Sequence, residues 1–308
     1  MRSGAAENAA EAGLQLRIRE KLLNYFLLTK PRIVLLVMVT GFAAAMLEGT
    51  LCADPQRFAG VLLGIMLAAG AANALNQFWD RDIDAIMART RSKRPLPTGK
   101  ISPRSALSFG LLSGMLAIWM LKTAGNTLAA ALGASTIIFY VCCYTMWLKR
   151  RTSLNIVIGG AAGAAAPLIA WAAGAGGLSS LPLLMFLVVF LWTPPHFWAL
   201  ALCIKEDYVR AGIPMLPVTA GEKTTRTQMA AYVAVLLPAT AYLGIRANLG
   251  PIFLVGTALL GLNLVRKLIR LLRRKDRPAA QEFFNYSIVY LAALFLLMLA
   301  SIGSRWPL

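Results

Sequence analysis

Nine apolar runs, each close to the length of a helix that crosses a bilayer, constrain this chain more than any other feature. They lie at about 33–52, 58–79, 104–121, 126–147, 154–174, 180–203, 228–245, 250–268 and 284–303. Roughly 20 helical residues span the hydrocarbon core, and in lipid only a helix or a closed barrel satisfies every backbone N–H and C=O internally. A soluble domain has no use for so much apolar sequence: 58% of the 308 residues are hydrophobic and only 14% charged. The expected fold is therefore all-α and integral to a membrane, with nine transmembrane helices.

Charge divides the loops into two sets. One set holds six Lys and Arg at 1–32, seven at 80–104, three at 149–151, four at 205–226 and seven at 266–277, which makes 27 of the 31. The alternate set holds Arg57, Lys122, Arg246 and Arg305. Excess positive charge marks cytoplasmic loops, so the N-terminus is expected in the cytoplasm and the C-terminus outside. An even number of spans would break this alternation. The formal net charge of +18 then reflects topology and attraction to anionic lipid head groups, the run from Arg266 to Arg277 included, and implies no nucleic-acid partner. Residues 1–27 carry Glu7, Glu11 and Glu20 and no apolar stretch ending in a cleavage site. They read as a cytoplasmic tail with a short surface helix at 14–28, leaving 28–308 as one intramembrane domain. Cys52, Cys142, Cys143 and Cys203 show neither metal spacing nor a disulfide framework and read as small apolar residues. Gly159 and Gly163 form a small-xxx-small pair suited to close helix packing.

Two loops of the basic set carry chemistry. The first, NALNQFWDRDIDAIMARTRSKRPLPTG, runs from Asn73 to Gly99. Asn76, Asp80 and Asp84 are four apart and form one helical stripe that drifts about 40° per step; Asn73 is on the same side and Asp82 turns away. A solvated mixed-charge loop explains Arg91, Lys93 and Lys100. It does not explain amides in the last turns of an apolar helix, where an unpaired polar group is costly. Carboxylates hold a hard cation such as Mg²⁺, and arginines such as Arg89 and Arg94 neutralise phosphate oxygens. That combination at a membrane surface suits a phosphorylated lipid.

The second loop, WTPPHFWALALCIKEDYVRAGIPMLPVTAG, covers 192–221. His196, the one histidine, sits near Pro194 and Pro195, which start or kink its helix, among Trp192, Phe197 and Trp198. Such a histidine is either a packed residue or a ligand, and an ionisable group within a bilayer favours function. Lys205, Glu206 and Asp207 reach the same surface as Asp80 and Asp84, and Pro214 and Pro217 stiffen the following elbow. The two acidic sets together have the makings of a site for one or two Mg²⁺ ions bridged by a diphosphate.

These motifs resemble the UbiA-type intramembrane prenyltransferases over essentially the whole chain from Leu28. DRDIDAIMARTRSKRPLPTG at 80–99, WTPPHFWALAL at 192–202 and KEDYVRAGIPMLPV at 205–218 are most similar to the branch that farnesylates protohaem IX. The resemblance implies nine helices around a central cavity that opens sideways to the bilayer. It implies farnesyl diphosphate as donor, its head group on Mg²⁺ and its tail in the cavity. Haem b is then the acceptor, a substrate and not a prosthetic group, and the product is haem O, handed on to haem A synthase or terminal-oxidase assembly proteins. The catalytic residues would be Asp80, Asp84 and Asp207; the metal ligands Asn76, Asp80, Asp84 and Asp207; and the substrate-binding residues Asn73, Arg89, Arg94, Lys205 and His196. His196 would meet the haem at its iron or its propionates, and Trp79 or Phe197 would screen the allylic cation. Many members of the superfamily carry a second D-x3-D motif, whereas here Asp207 is followed four residues later by Ala211. The number of magnesium ions stays open on that account.

A bacterial inner membrane fits an N-terminus without an Arg/Ser-rich, acid-poor transit segment, with the mitochondrial inner membrane second. Three other functions compete. A prenyltransferase for an aromatic or quinone-precursor acceptor fits the His196 motif and the single Asp207 less well. A transporter needs polar residues along a path, and the remaining spans have almost none. A non-catalytic haem-delivery factor has no need of Asp80 and Asp84.

Overall fold

The computed structural model describes residues 2–303, with side chains from residue 15 onward. Helix α1 (Arg2–Leu28) precedes the nine helices that, among the described residues, are long and apolar enough to cross a membrane. These are α2 (Pro31–Glu48), α3 (Pro55–Trp79), α4 (Pro103–Gly125), α5 (Thr127–Arg150), α6 (Asn155–Ala175), α7 (Ser180–Cys203), α8 (Gly221–Arg246), α9 (Gly250–Arg274) and α10 (Arg277–Gly303). No strand occurs among the described residues. The expected all-α, nine-span membrane fold is the one found.

Each span packs on the next, and α10 returns to α2, closing a ring; α7 reaches inside it to α6, α8, α10 and α2. Trp198, Phe253, Phe283, Tyr290 and Phe295 fill the interior and are fully buried. Leu111, Leu112, Met115, Trp119, Ile252, Leu259 and Leu262 face outward, an apolar exterior that suits lipid.

The helices depart from the hydropathy pattern at three places. First, α8 begins at 221 instead of 228, α9 ends at 274 instead of 268, and α10 begins at 277 instead of 284. Hydropathy marks only the stretch that meets hydrocarbon, whereas Lys, Arg, Gln and Glu carry a helix on into the head groups. These extensions are tied together: Glu282 of α10 pairs with Lys267 (3.3 Å) and Arg270 (2.8 Å) of α9. Second, α6 breaks into Asn155–Gly163 and Ala166–Ala175 just before Pro167, which lacks the N–H and blocks the turn that a continuous helix requires. Pro194 and Pro195, by contrast, lie within continuous α7 and do not start it. Third, α5 widens from α-helix to π-helix over Phe139–Trp147.

Helix α1 is longer than the 14–28 segment expected. Leu16, Leu22, Leu23 and Phe26 are exposed, while Leu28 is buried and the Tyr25 ring lies 5.2 Å from Phe109. One side of its last turns thus packs on the bundle while apolar side chains on the other stay uncovered. Gly159 allows the Tyr144 ring to lie directly on α6, where any Cβ would collide with it, but Gly163 has no neighbour of that kind.

Candidate active site

The polar stripe survives the end of its helix. Trp79 is the last residue of α3 and Asp80 caps it, but the Asp80 N–H still donates to Asn76 O (2.9 Å). The Asp84 N–H donates likewise to Asp80 O (2.8 Å), so a short helix, Arg81–Ile86, continues the register. Asn76, Asp80 and Asp84 are buried at 2%, 0% and 3% exposure, which shields them from the solvent that would otherwise weaken their interactions. Asp82 turns away, is exposed, and forms a two-pronged pair with Arg150 (2.8 and 2.9 Å) that holds its carboxyl below the usual range.

Cations crowd this stripe. Lys149, at the end of α5, donates to Asp80 Oδ2 (2.5 Å), and Asn76 Nδ2 donates to the same oxygen (2.8 Å) and to Thr145 Oγ1 (3.0 Å). The π-helical stretch of α5 presents Thr145, whose hydroxyl also donates to Tyr140 O (2.8 Å). Lys30 donates to Asn76 Oδ1 (2.6 Å) from a left-handed backbone conformation (φ 54°) just before α2. Burial, and then Arg94 and Lys149, push its ammonium well below its ordinary range. Arg94 pairs with Asp84; the turns of 87–101 return it there, with Leu96 buried beside Leu28 and Ala106.

Asn73 does not join this group. Its Nδ2 donates to Thr29 O (3.0 Å), and Gln77 Nε2 donates to Leu28 O (2.8 Å). Both amides clamp the chain that presents Lys30.

The second loop stands alongside. Helix α7 ends at Cys203, and a short helix, Lys205–Arg210, brings Asp207 to 6% exposure. Asp207 accepts the Arg89 N–H (3.2 Å) and pairs with Arg210. Burial alone would raise its carboxyl; Arg210 and the backbone N–H groups of Arg89 and Ala88 outweigh that and hold it low. Lys205 faces Glu222 (3.3 Å) and not Asp207. A shared apolar cluster of Ile83, Met87, Tyr144, Ala201, Tyr208, Ile213 and Met215 fixes the two loops against each other. Arg89, Lys205, Asp207, Arg210 and Arg277 line a cleft of about 1000 Å³. The loop from Met87 to Arg94 thus touches both acidic sets, Arg94 at Asp84 and the Arg89 backbone at Asp207.

His196 lies deeper, on α7. Its ring stacks between Trp192 (4.3 Å) and Phe284 (4.7 Å), with the edge of Phe197 at 5.4 Å, and Nδ1 meets Ser287 Oγ at 2.7 Å. Trp79 is 41% exposed and points away from the stripe, whereas Tyr140 and Tyr144, 5.2 Å apart, flank Thr145 on α5. Lys30, Lys149, Thr145 and Arg210 are members of this constellation that motif reading does not reveal.

Among the described residues no three His, Cys, Asp or Glu side chains cluster tightly enough to hold a metal by themselves. One atom nevertheless asks for a cation: Asp80 Oδ1 is buried and has no hydrogen-bond partner. With the Asn76 amide and Asp84 beside it, the donor set is all oxygen, as Mg²⁺ prefers.

Comparison with known proteins places the chain in a family and a fold. Residues 37–301 match the UbiA prenyltransferase family. A protoheme IX farnesyltransferase of Symbiobacterium thermophilum is 46% identical over 295 residues, covering 95% of this chain and 98% of that protein. The protein of the same name from Gloeobacter violaceus is 45% identical, with 92% of each chain covered. Among solved structures, digeranylgeranylglyceryl phosphate synthase matches at TM-score 0.76 and 18% identity, over 92% of this chain and 99% of that one. A UbiA homolog from Archaeoglobus fulgidus, bound to DMAPP and Mg²⁺, matches at TM-score 0.67 and 18% identity, over 89% of this chain and 99% of that one.

Proposed function

Because this chain belongs to the UbiA prenyltransferase family, we propose that it transfers the farnesyl group of farnesyl diphosphate to a vinyl carbon of haem b, with addition of water, giving haem O. The observation that carries the donor half is the buried stripe Asn76, Asp80 and Asp84, with its unpaired Asp80 oxygen and its ring of cations. The acceptor half rests on relatives named protoheme IX farnesyltransferase that align along nearly their whole length.

Asn76, Asp80 and Asp84 would hold Mg²⁺, with Asp207 offering a further carboxylate from the second loop. When bound, the ion neutralises charge on the departing diphosphate. Lys149 and Arg94, which pair with Asp80 and Asp84, would be the basic groups nearest a diphosphate held there, with Lys30 beside them on Asn76. Arg89 reaches the same head group, and Lys205 assists once it leaves Glu222. The C1–O bond breaks to an allylic cation and diphosphate; the vinyl carbon of haem attacks C1, and water captures the resulting benzylic-type cation and loses a proton. The apolar cluster around Tyr144 and Met87 keeps water from the first cation, and the faces of Tyr140, Tyr144 and Phe197 stabilise it. His196 contacts the haem. The active site faces the cytoplasm of a bacterial inner membrane, with the N-terminus on that side and the C-terminus outside. Residues 28–308 act as one catalytic unit, and the product passes to haem A synthase or to terminal-oxidase assembly.

The test is incubation of the purified protein in nanodiscs with haem b, farnesyl diphosphate and Mg²⁺, followed by mass spectrometry of the haem. A haem heavier by one farnesyl group and one water is the expected product. Diphosphate release without altered haem would keep the donor site and replace the acceptor. Neither product nor release, from folded protein, would overturn the enzyme.

A further inference from the structure

We propose that Ser287 is a positioning residue that locks His196 as its Nδ1–H tautomer, so that His196 offers an Nε2 lone pair to the iron of the acceptor haem and not an N–H to its propionates. This rests on haem as the acceptor and goes beyond it by choosing between the iron and the propionates as the group that His196 meets.

Ser287 Oγ lies 2.7 Å from His196 Nδ1 and 2.7 Å from Phe284 O. A hydroxyl has one proton and two lone pairs, and a carbonyl oxygen can only accept. The Ser287 proton therefore goes to Phe284 O, the back-bond to the preceding turn that serine makes in helices. The same hydroxyl must then accept from His196, which places the imidazole proton on Nδ1. The ring's two nitrogens are inequivalent, and the bond made by one decides what the other presents. With the proton on Nδ1, Nε2 carries the lone pair. A lone pair binds iron or accepts a proton; toward a carboxylate it is repulsive.

The surroundings fix the ring as firmly as the tautomer. Trp192 and Phe284 stack on its two faces at 18° and 22°, leaving it little freedom to turn over. Trp192 Nε1 donates to Ser287 O (2.7 Å), so α7 and α10 are joined at this residue through the backbone as well. That second bond makes a clean experiment possible, because Ser287→Ala removes the hydroxyl and leaves the Trp192 bond in place.

The chain has a single histidine, so protein labelled with [¹⁵N]histidine gives one imidazole and no assignment problem. In nanodiscs without haem, the expected ¹⁵N spectrum shows a protonated Nδ1 and an unprotonated Nε2. Ser287→Ala should mix the two tautomers, and Ser287→Thr, which keeps a hydroxyl, should restore the pure form. On adding ferric haem, the Nε2 resonance should move to the range of an iron-bound nitrogen. Ser287→Ala should weaken haem binding about fivefold, the value of one hydrogen bond, and leave farnesyl diphosphate binding unchanged. A resting Nε2–H tautomer or an imidazolium would overturn the proposal whatever the acceptor is. If wild-type protein farnesylates haem while Nε2 stays unshifted, the iron contact is wrong and the function stands. If wild-type protein makes no farnesylated haem although the tautomer is as stated, the acceptor reading falls and the tautomer lock survives.

Discussion

A carboxylate buried with one oxygen unpaired is costly to keep, by roughly 1–3 kcal/mol or more for a charged group, and Asp80 is in that position. Such a cost is tolerated where the atom has a partner in the working state. Asp80→Asn keeps the shape and removes the charge; turnover should fall more than about 100-fold with the protein still inserted, and Asp84→Ala should do the same. Asp82→Ala, two residues from each, should stay within about twofold, because its Arg150 pair is exposed and exposed pairs contribute little. Initial rates of haem O formation across a Mg²⁺ titration decide this, and near-normal product from Asp80→Asn or Asp84→Ala would sink the magnesium assignment. Lys149→Met should raise KM for farnesyl diphosphate about tenfold or more, the loss of one charge-assisted contact, and Lys205→Ala should raise it less. The three acidic and amide residues were legible in the sequence because polar groups at helical spacing inside an apolar run have no bland explanation. Lys30 and Lys149 were not, because every cytoplasmic end of a span attracts basic residues. What sets these two apart is a left-handed residue before α2 and a widened turn in α5, neither of which composition announces.

At the scale of elements, that widened turn decides how the site is supported. The stretch FYVCCYTMW reads as ordinary apolar helix, yet over Phe139–Trp147 it adopts π geometry, a form often found at functional positions. Its consequence is Thr145, which reaches across to the Asn76 amide (3.0 Å) and so orients Asn76 toward Asp80. Thr145→Val preserves volume and removes that bond. Apparent Mg²⁺ affinity should fall about fivefold, with haem binding unchanged and Thr145→Ser close to wild type. Equal losses for Val and Ser would mean that packing, and not the hydroxyl, matters there. Hydropathy located all nine spans, since the cost of burying polar backbone leaves no other solution. It missed the break before Pro167 and the helical extensions of α8, α9 and α10, since those depend on backbone chemistry and on head-group contacts that a hydropathy window does not register.

Across the whole molecule, the two acidic loops lie at one end because odd and even spans alternate, and contacts such as Lys149 to Asp80 and Arg89 to Asp207 join loops that are distant in sequence. The same end carries nearly all the basic charge, which sets orientation through the cost of moving Lys and Arg across a membrane. If that charge serves mainly orientation, Arg273→Ala, exposed at the end of α9, should leave turnover within about twofold; a large loss would assign the basic run a part in catalysis. Orientation itself is read with single cysteines. In a variant lacking the four native cysteines, Lys93→Cys probes the basic end and Ser179→Cys the opposite one, both at exposed positions. With sealed right-side-out vesicles, a membrane-impermeant maleimide should label Ser179→Cys and spare Lys93→Cys, and inverted vesicles should give the reverse. The converse pattern would place the diphosphate site outside the cytoplasm. Farnesyl diphosphate, a charged donor that does not cross the bilayer unaided, would then have to be supplied from outside, so the labelling bears on the supply of substrate as directly as on the fold.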